Sequence, residues 1–187
     1  MKQLVFSTGN DSKYQTAQAV CTEYAIKLEQ NTLEIDEIQG EDPEKIVTDK
    51  VNKAYDLLKK PVIVSDDTWV IPGLNGFPGS YMKSMNHWFQ PQDFINLTLS
   101  LTDRRIFLVG YLAYKDEKLT KLFYQKREGI LLEEPRGKHE PASHKVISMV
   151  GDNGLSIAEV YDKGLARSER DVAKIWHEFA EWFRELK

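Results

Sequence analysis

The run Pro61-Val62-Ile63-Val64-Ser65-Asp66-Asp67-Thr68-Trp69-Val70-Ile71 carries the clearest structural signal in this chain of 187 residues. Pro61 to Ser65 is β-prone and predicts a short strand that delivers Asp66 and Asp67 at its C-terminal end. Adjacent strand residues point to opposite faces, but where a strand ends the backbone can turn and both carboxylates can reach one place. Two neighbouring carboxylates are costly to bury unless a cation or a proton neutralises them. Burial preference alone makes such a pair a solvated turn; apolar residues on both sides leave a built site evenly matched with that reading. Pro72 to Ser80 follows, with three glycines and two prolines, and predicts a turn.

Upstream, Gln3 to Ser7 predicts a strand broken by Thr8-Gly9-Asn10. Asp11 to Gln30 then predicts a helix, with Tyr14, Ala17, Val20, Cys21 and Tyr24 forming one apolar stripe. Strand, turn and helix in that order set backbone amides where an anion is favoured. Thr8-Gly9-Asn10 with Lys13 is not the G-x-x-x-x-G-K-[ST] phosphate loop, and alone it reads as a structural turn. Asn31 to Ile38 alternates loosely, as a strand would, before the acidic turn Gln39 to Pro43. Glu44 to Lys59 predicts a helix burying Ile46, Val47, Val51, Ala54, Leu57 and Leu58. Lys50 lies within that stripe, where a lysine snorkels to the edge or holds its ammonium for phosphate oxygens; periodicity favours snorkelling.

Downstream, Pro91 to Leu101 predicts a helix with Phe94, Leu97 and Leu101 on one face. Arg105 to Lys115 and Leu119 to Lys126 predict paired strands around Asp116-Glu117-Lys118, and Gly129 to Leu132 a further strand. Pro135 to His144 is polar with no evident element, and Arg167 to Leu186 predicts an amphipathic helix. This order suits an α/β fold with a mixed, twisted sheet flanked by helices, expected as a single domain over 1–187.

Lysine and arginine number 25 against 29 aspartate and glutamate, for a formal net charge of -4. A broad nucleic-acid face normally needs a basic excess, so no nucleic-acid polymer is expected as a partner. Cys21 is the single cysteine, which excludes an intrachain disulfide and a cysteine zinc site. No leader and no membrane-length apolar run is evident, so no membrane association and a cytoplasmic location are expected. The acidic group Glu34, Asp36, Glu37, Glu41, Asp42 and Glu44 reads mostly as solvated surface. A hard cation needs only one or two carboxylates, so one member paired with Asp67 would suffice.

Taken together, these segments resemble the inosine triphosphatase family of house-cleaning nucleoside triphosphate pyrophosphatases. The opening Val5-Phe6-Ser7-Thr8-Gly9-Asn10 with Lys13 is similar to the family's strand, T-G-N, lysine and helix. Ile35-Asp36-Glu37-Ile38-Gln39-Gly40-Glu41 looks like its metal-binding stretch, and the family's helix lysine falls on Lys50. Pro61 to Thr68, continuing through Leu74-Asn75-Gly76-Phe77-Pro78-Gly79-Ser80-Tyr81, is similar to the strand ending in the catalytic aspartate and to L-x-G-x-P-G-x-Y. Phe123 to Gly129 and Pro135-Arg136-Gly137 fit the segments before the base pocket. Two departures stand out. The family's F-G-[YW]-D after P-R-G is absent, its nearest ungapped match being Pro141 to His144. The histidine of S-H-R is Glu169 within Ser168-Glu169-Arg170, after Lys163.

The resemblance implies two lobes around a central nucleotide cleft, a homodimer, and Mg²⁺-dependent hydrolysis of a nucleoside triphosphate. A deaminated or modified purine such as ITP, XTP or a deoxy form is the implied substrate. It implies Glu37 and Asp67 as metal ligands, Asp67 or Asp66 as general base, and Lys50 as a catalytic cation. Thr8, Asn10, Lys13, Thr68, Lys163 and Arg170 are the implied substrate contacts. With the usual base segment absent, His139, His144, Trp69 or Trp88 could line a different pocket. The alternatives are a non-catalytic nucleotide-binding homologue, a pyrophosphatase with another base preference, and an interaction domain using Trp88-Phe89.

Overall fold

The computed structural model describes residues 2–165 and 169–186, with the side chains of 169–172 outside the description. Among the described residues, seven strands, β1 (Lys2–Ser7), β2 (Ile26–Asn31), β3 (Val62–Val70), β4 (Pro78–Gly79), β5 (Arg105–Lys115), β6 (Thr120–Leu131) and β7 (Ile147–Met149), alternate with six helices. The helices are α1 (Asp11–Glu23), α2 (Pro43–Leu58), α3 (Met82–Trp88), α4 (Pro91–Thr98), α5 (Ile157–Asp162) and α6 (Glu169–Glu185). The sheet order is β2-β1-β3-β5-β6-β7, with β4 paired to β3. β1 pairs parallel with β2 and β3, whereas β3–β4 and β6–β7 are antiparallel. The expected mixed α/β architecture is therefore present.

The chain divides into two compact units. One comprises residues 1–66, 110–125 and 170–187, the other 67–109 and 126–169. In the first, the strands bury both faces, as parallel strands do. Leu4, Phe6, Ile63, Leu112 and Tyr114 join α1 and α6, with Phe6 packed 5.1 Å from Trp176. Val5, Val62, Val64 and Ala113 point the other way, onto Val47, Val51 and Ala54 of α2. Cys21 lies in the first cluster, where burial pushes its thiol up to about 12. The second unit has its own core, built from Trp69, Ile71, Met82, Met85, Phe94, Ile106, Ile147 and Ile157 among others. No helix among the described residues is long and apolar enough to cross a membrane.

Local chemistry corrects several expectations. The first helix stops at Glu23, because Ala25 turns left-handed (φ 56) and Ile26 and Leu28 then bury alternately against β1. Beyond Asn31 the stretch to Asp42 is irregular, not a strand. Asp42 caps α2 by accepting the Glu44 and Lys45 amides, Pro43 starts the helix, and left-handed Lys59 (φ 50) closes it. Leu57 is exposed rather than buried. α4 ends at Thr98, whose hydroxyl donates back to the Phe94 carbonyl at 2.9 Å. Leu119 to Lys126 and Gly129 to Leu132 belong to the single strand β6. The short elements α3, α5 and β7 escape pattern reading, being under three turns or three residues long.

Candidate active site

In the first unit, the Thr8-Gly9-Asn10 turn is stitched by its own groups. The Asn10 amide donates to Thr8 Oγ1 at 3.1 Å, and Asn10 Oδ1 caps α1 by accepting the Lys13 amide at 3.0 Å. Gln30 and Thr32 donate to the Thr8 carbonyl at 3.2 and 3.3 Å. The turn thus fixes where β1 hands over to the N-terminus of α1, a setting that favours an anion. Lys50 does not snorkel. Its side chain is 19% exposed, and its ammonium lies 2.5 Å from Glu37 Oε1, whose side chain is 44% exposed. One turn further on, Lys53 bonds the Asp36 carbonyl at 2.7 Å and pairs with Asp49 at 2.8 Å. α2 therefore holds the acidic segment by two lysines.

β3 runs through the carboxylate pair to Val70, so Asp66 and Asp67 stand within the strand and not at its end. Pleating then separates them. Asp66 continues the face of Val62 and Val64, which pack against α2, whereas Asp67 points oppositely and is exposed. Asp66 thus shares a sheet face with the helix that carries Lys50.

In the second unit Thr68 follows, 3% exposed, and its hydroxyl has no hydrogen-bond partner among the described residues. The same is true of the shielded hydroxyls of Ser65, in the first unit, and Ser80. Leaving such a group unpaired costs roughly 1–3 kcal/mol. Lys163 is exposed at the C-cap of α5. The Arg170 side chain lies outside the described residues.

The polar loop after Pro135 is tied down along its length. The Arg136 amide donates to the Lys145 carbonyl at 2.8 Å, and the Arg136 guanidinium to the Gly154 carbonyl at 2.8 Å. Ser156, which caps α5, donates to the Arg136 carbonyl at 2.8 Å. Asp162 accepts the Lys138 amide at 2.6 Å, and Asn86 accepts that of Ser143 at 3.0 Å. Gly137 has φ 84, and a Cβ there would meet the Glu159 nitrogen at 2.7 Å. On this frame the His139 and Tyr161 rings stack at 4.4 Å, with His144 nearly parallel to Tyr161 at 5.8 Å. Of the other aromatic candidates, Trp69 is buried in the core and Trp88 is exposed at the end of α3. Reading by residue type missed Ser65, Ser80 and Tyr161; no motif marks them, and only burial and ring geometry do.

Among the described residues, no three His, Cys, Asp or Glu side chains gather as a ready metal site. The first unit carries the Glu37 and Asp66 carboxylates and the second the Asp67 carboxylate. Each is a hard oxygen donor, of the kind that suits Mg²⁺ with water and phosphate completing its shell.

In fold, the structure is similar to a HAM1 protein from Coxiella burnetii, with a TM-score of 0.79 at 18% identity over 100% of both chains. It is similar also to the Ham1 protein of Staphylococcus aureus, with a TM-score of 0.75 at 19% identity over 97% of this chain and 100% of the other. These likenesses define an α/β protein of Ham1-like fold. In sequence, the model of the Ham1 family matches residues 4–170. A dITP/XTP pyrophosphatase of Methanopyrus kandleri is 28% identical over 97% of this chain and 96% of its own length. Inosine triphosphate pyrophosphatase 2 of Trypanosoma cruzi is 31% identical over 83% of this chain and 80% of its own. The chain belongs to the Ham1 family.

Proposed function

We propose that this chain hydrolyses a nucleoside triphosphate between its α- and β-phosphates, releasing the monophosphate and pyrophosphate. A deaminated or modified purine, such as ITP, XTP or their deoxy forms, is the substrate class. The observation that carries this reading is the Ham1 match over residues 4–170, which encloses every candidate residue from Thr8 to Arg170. Relatives that cover nearly the whole chain bear pyrophosphatase names.

Thr8 and the N-terminus of α1 would receive the phosphate tail, with Lys13 beside them. Lys50 would trade its pairing with Glu37 for a phosphate oxygen, neutralising charge that develops there. Asp67, exposed and close in sequence to the buried Thr68, would orient or deprotonate the attacking water; Asp66 is its understudy. Lys163 and Arg170 would add positive charge. Glu37 and Asp67 would hold Mg²⁺, which when bound supplies charge dispersal across the triphosphate. The whole chain would act as one functional domain, as a homodimer in the cytoplasm.

The test is pyrophosphate release from a panel of nucleoside triphosphates, including ITP, XTP, dUTP and the common ones, with and without Mg²⁺. Metal-dependent release from at least one is expected. Silence across the panel, with nucleotide still bound in calorimetry, would instead support the non-catalytic nucleotide-binding homologue. The missing F-G-[YW]-D segment is what motivates that second reading.

A further inference from the structure

Two shielded hydroxyls of the second unit belong to residues that flank one end of the same strand ladder, and neither has a bond among the described residues. Trp69 of β3 pairs with Gly79 of β4. Thr68 is the residue before that ladder pair on one strand, and Ser80 the residue after it on the other. Both therefore stand at the same end of a two-residue ladder. There Gly79 turns left-handed (φ 60) and the Tyr81 amide closes a tight turn on the Pro78 carbonyl at 3.1 Å. Thr68 is 3% exposed, the Ser80 oxygen is shielded, and neither finds a hydrogen-bond partner among the described residues. Buried hydroxyls are satisfied in the great majority of native proteins, so a pair of orphans at one end of one ladder calls for an occupant.

We propose that Ser80 and Thr68 form a two-hydroxyl subsite for oxygens of a phosphoryl group, making Ser80 a substrate-binding residue. A hydroxyl can rotate its proton toward an acceptor, and phosphate oxygens only accept, so both groups can donate at once. The class of ligand follows from sequence position. Within β3, Thr68 lies two residues beyond Asp66 and so on the same pleat face, the face of a carboxylate assigned above to the reacting end of the substrate. The inference rests on the pyrophosphatase reading for that last step, but the orphaned oxygens stand independently of it. Neutral donors would add directionality that lysines, as point charges, do not.

The test compares Ser80→Ala, Thr68→Val and Ser80→Thr with the wild type. Three measurements are made: KM for the preferred triphosphate, calorimetric affinity for inorganic pyrophosphate with Mg²⁺, and the thermal midpoint. Ser80→Ala and Thr68→Val should each raise KM and weaken pyrophosphate binding by roughly tenfold or more, the scale of a hydrogen bond to a charged group. Ser80→Thr, which keeps the hydroxyl, should largely restore both. Removing an oxygen that bonds nothing in the free protein should leave the midpoint unchanged or higher. A lowered midpoint for Ser80→Ala would place its hydroxyl in a structural bond and overturn the proposal, as would unchanged KM and pyrophosphate affinity. A loss confined to ribonucleotides, with 2′-deoxy substrates and pyrophosphate bound normally, would assign the hydroxyl to the sugar and also overturn it. A wild type inactive on every triphosphate would sink the pyrophosphatase reading alone, since pyrophosphate calorimetry still decides the subsite.

Discussion

The acidic stretch from Thr32 to Asp42 and the polar loop from Pro135 to Lys145 exchange the characters their sequences suggest. The first alternates like a strand, yet it is irregular, and side chains tie it to α2 through Lys50 to Glu37, Lys53 to Asp36 and the Asp42 cap. The second offers no periodicity, yet donors and acceptors from α3, α5 and neighbouring turns hold it at Arg136, Lys138 and Ser143. Regular pattern and rigidity are thus separate properties. Alternation promises a strand only where a partner strand is available; a polar loop becomes rigid wherever enough side chains reach its backbone. For function, the stretch with the family-like glutamate is the one whose polar groups can be redirected. The segment that departs from the family is the one built to keep its shape.

The largest expected effect tests whether the carboxylate pair divides its labour as β3 divides its faces. Asp67→Asn should lower kcat for pyrophosphate release by roughly 10²–10⁴-fold, the usual contribution of a general base. Its thermal midpoint should barely move, since Asp67 is exposed. Asp66→Asn, on the α2 face, should lower kcat less and leave the Mg²⁺ requirement nearer to wild type than Asp67→Asn does, because Glu37 and Asp67 are the proposed metal ligands. Steady-state kinetics across Mg²⁺ concentrations separate the two. A near-normal Asp67→Asn with a dead Asp66→Asn would transfer the base role to Asp66.

Next in size is the contact that anchors the acidic stretch. Lys50→Gln removes the cation 2.5 Å from Glu37 while keeping much of the side-chain length. Loss of a charge-stabilising group typically costs about 10²-fold in kcat. Stability should change by under ~1 kcal/mol, because Glu37 is well exposed and its pairing is screened. Turnover and urea unfolding together check this. A large stability loss with unchanged turnover would make the pair a structural clamp and dissolve the contrast between a redirectable stretch and a fixed loop.

Much of the frame was legible in the sequence because it rests on burial periodicity. Val47, Val51 and Ala54 on α2, Phe6 on β1 and Phe179 on α6 all lie where their spacing puts them. What escaped depends on single backbone conformations or on length. Ala25 at φ 56 cuts a helix that composition would have continued, and nothing in an alanine announces it. In the run after Pro61 the β-prone residues stop at the aspartates, which are poor strand formers. Trp69 and Val70, pairing with Gly79 and Pro78, carry it on. Among site residues, Lys50 and Glu37 were visible as types in a pattern, and their contact joins them. The Ser80 hydroxyl had no signal beyond an ordinary serine in a turn.

The smallest predicted effects contrast the two regions most directly, through one glycine in each. Gly137 sits in the polar loop at φ 84, and a Cβ there would lie 2.7 Å from the Glu159 nitrogen and 2.8 Å from the Ala158 Cβ. Both neighbours belong to α5, and the closer is backbone, so neither can step aside cheaply. Gly137→Ala should therefore destabilise by about 2 kcal/mol or more, through combined strain and overpacking. Gly40 sits in the acidic stretch with nothing within 4 Å of its would-be Cβ, and its φ is not in the left-handed range. Gly40→Ala should stay within about 0.5 kcal/mol of wild type, and stiffening of the unfolded chain can even tip it to slight stabilisation. Urea unfolding monitored by tryptophan fluorescence reads both. Equal effects at the two positions would mean that the loop yields as readily as the acidic stretch, and the distinction between them would fall.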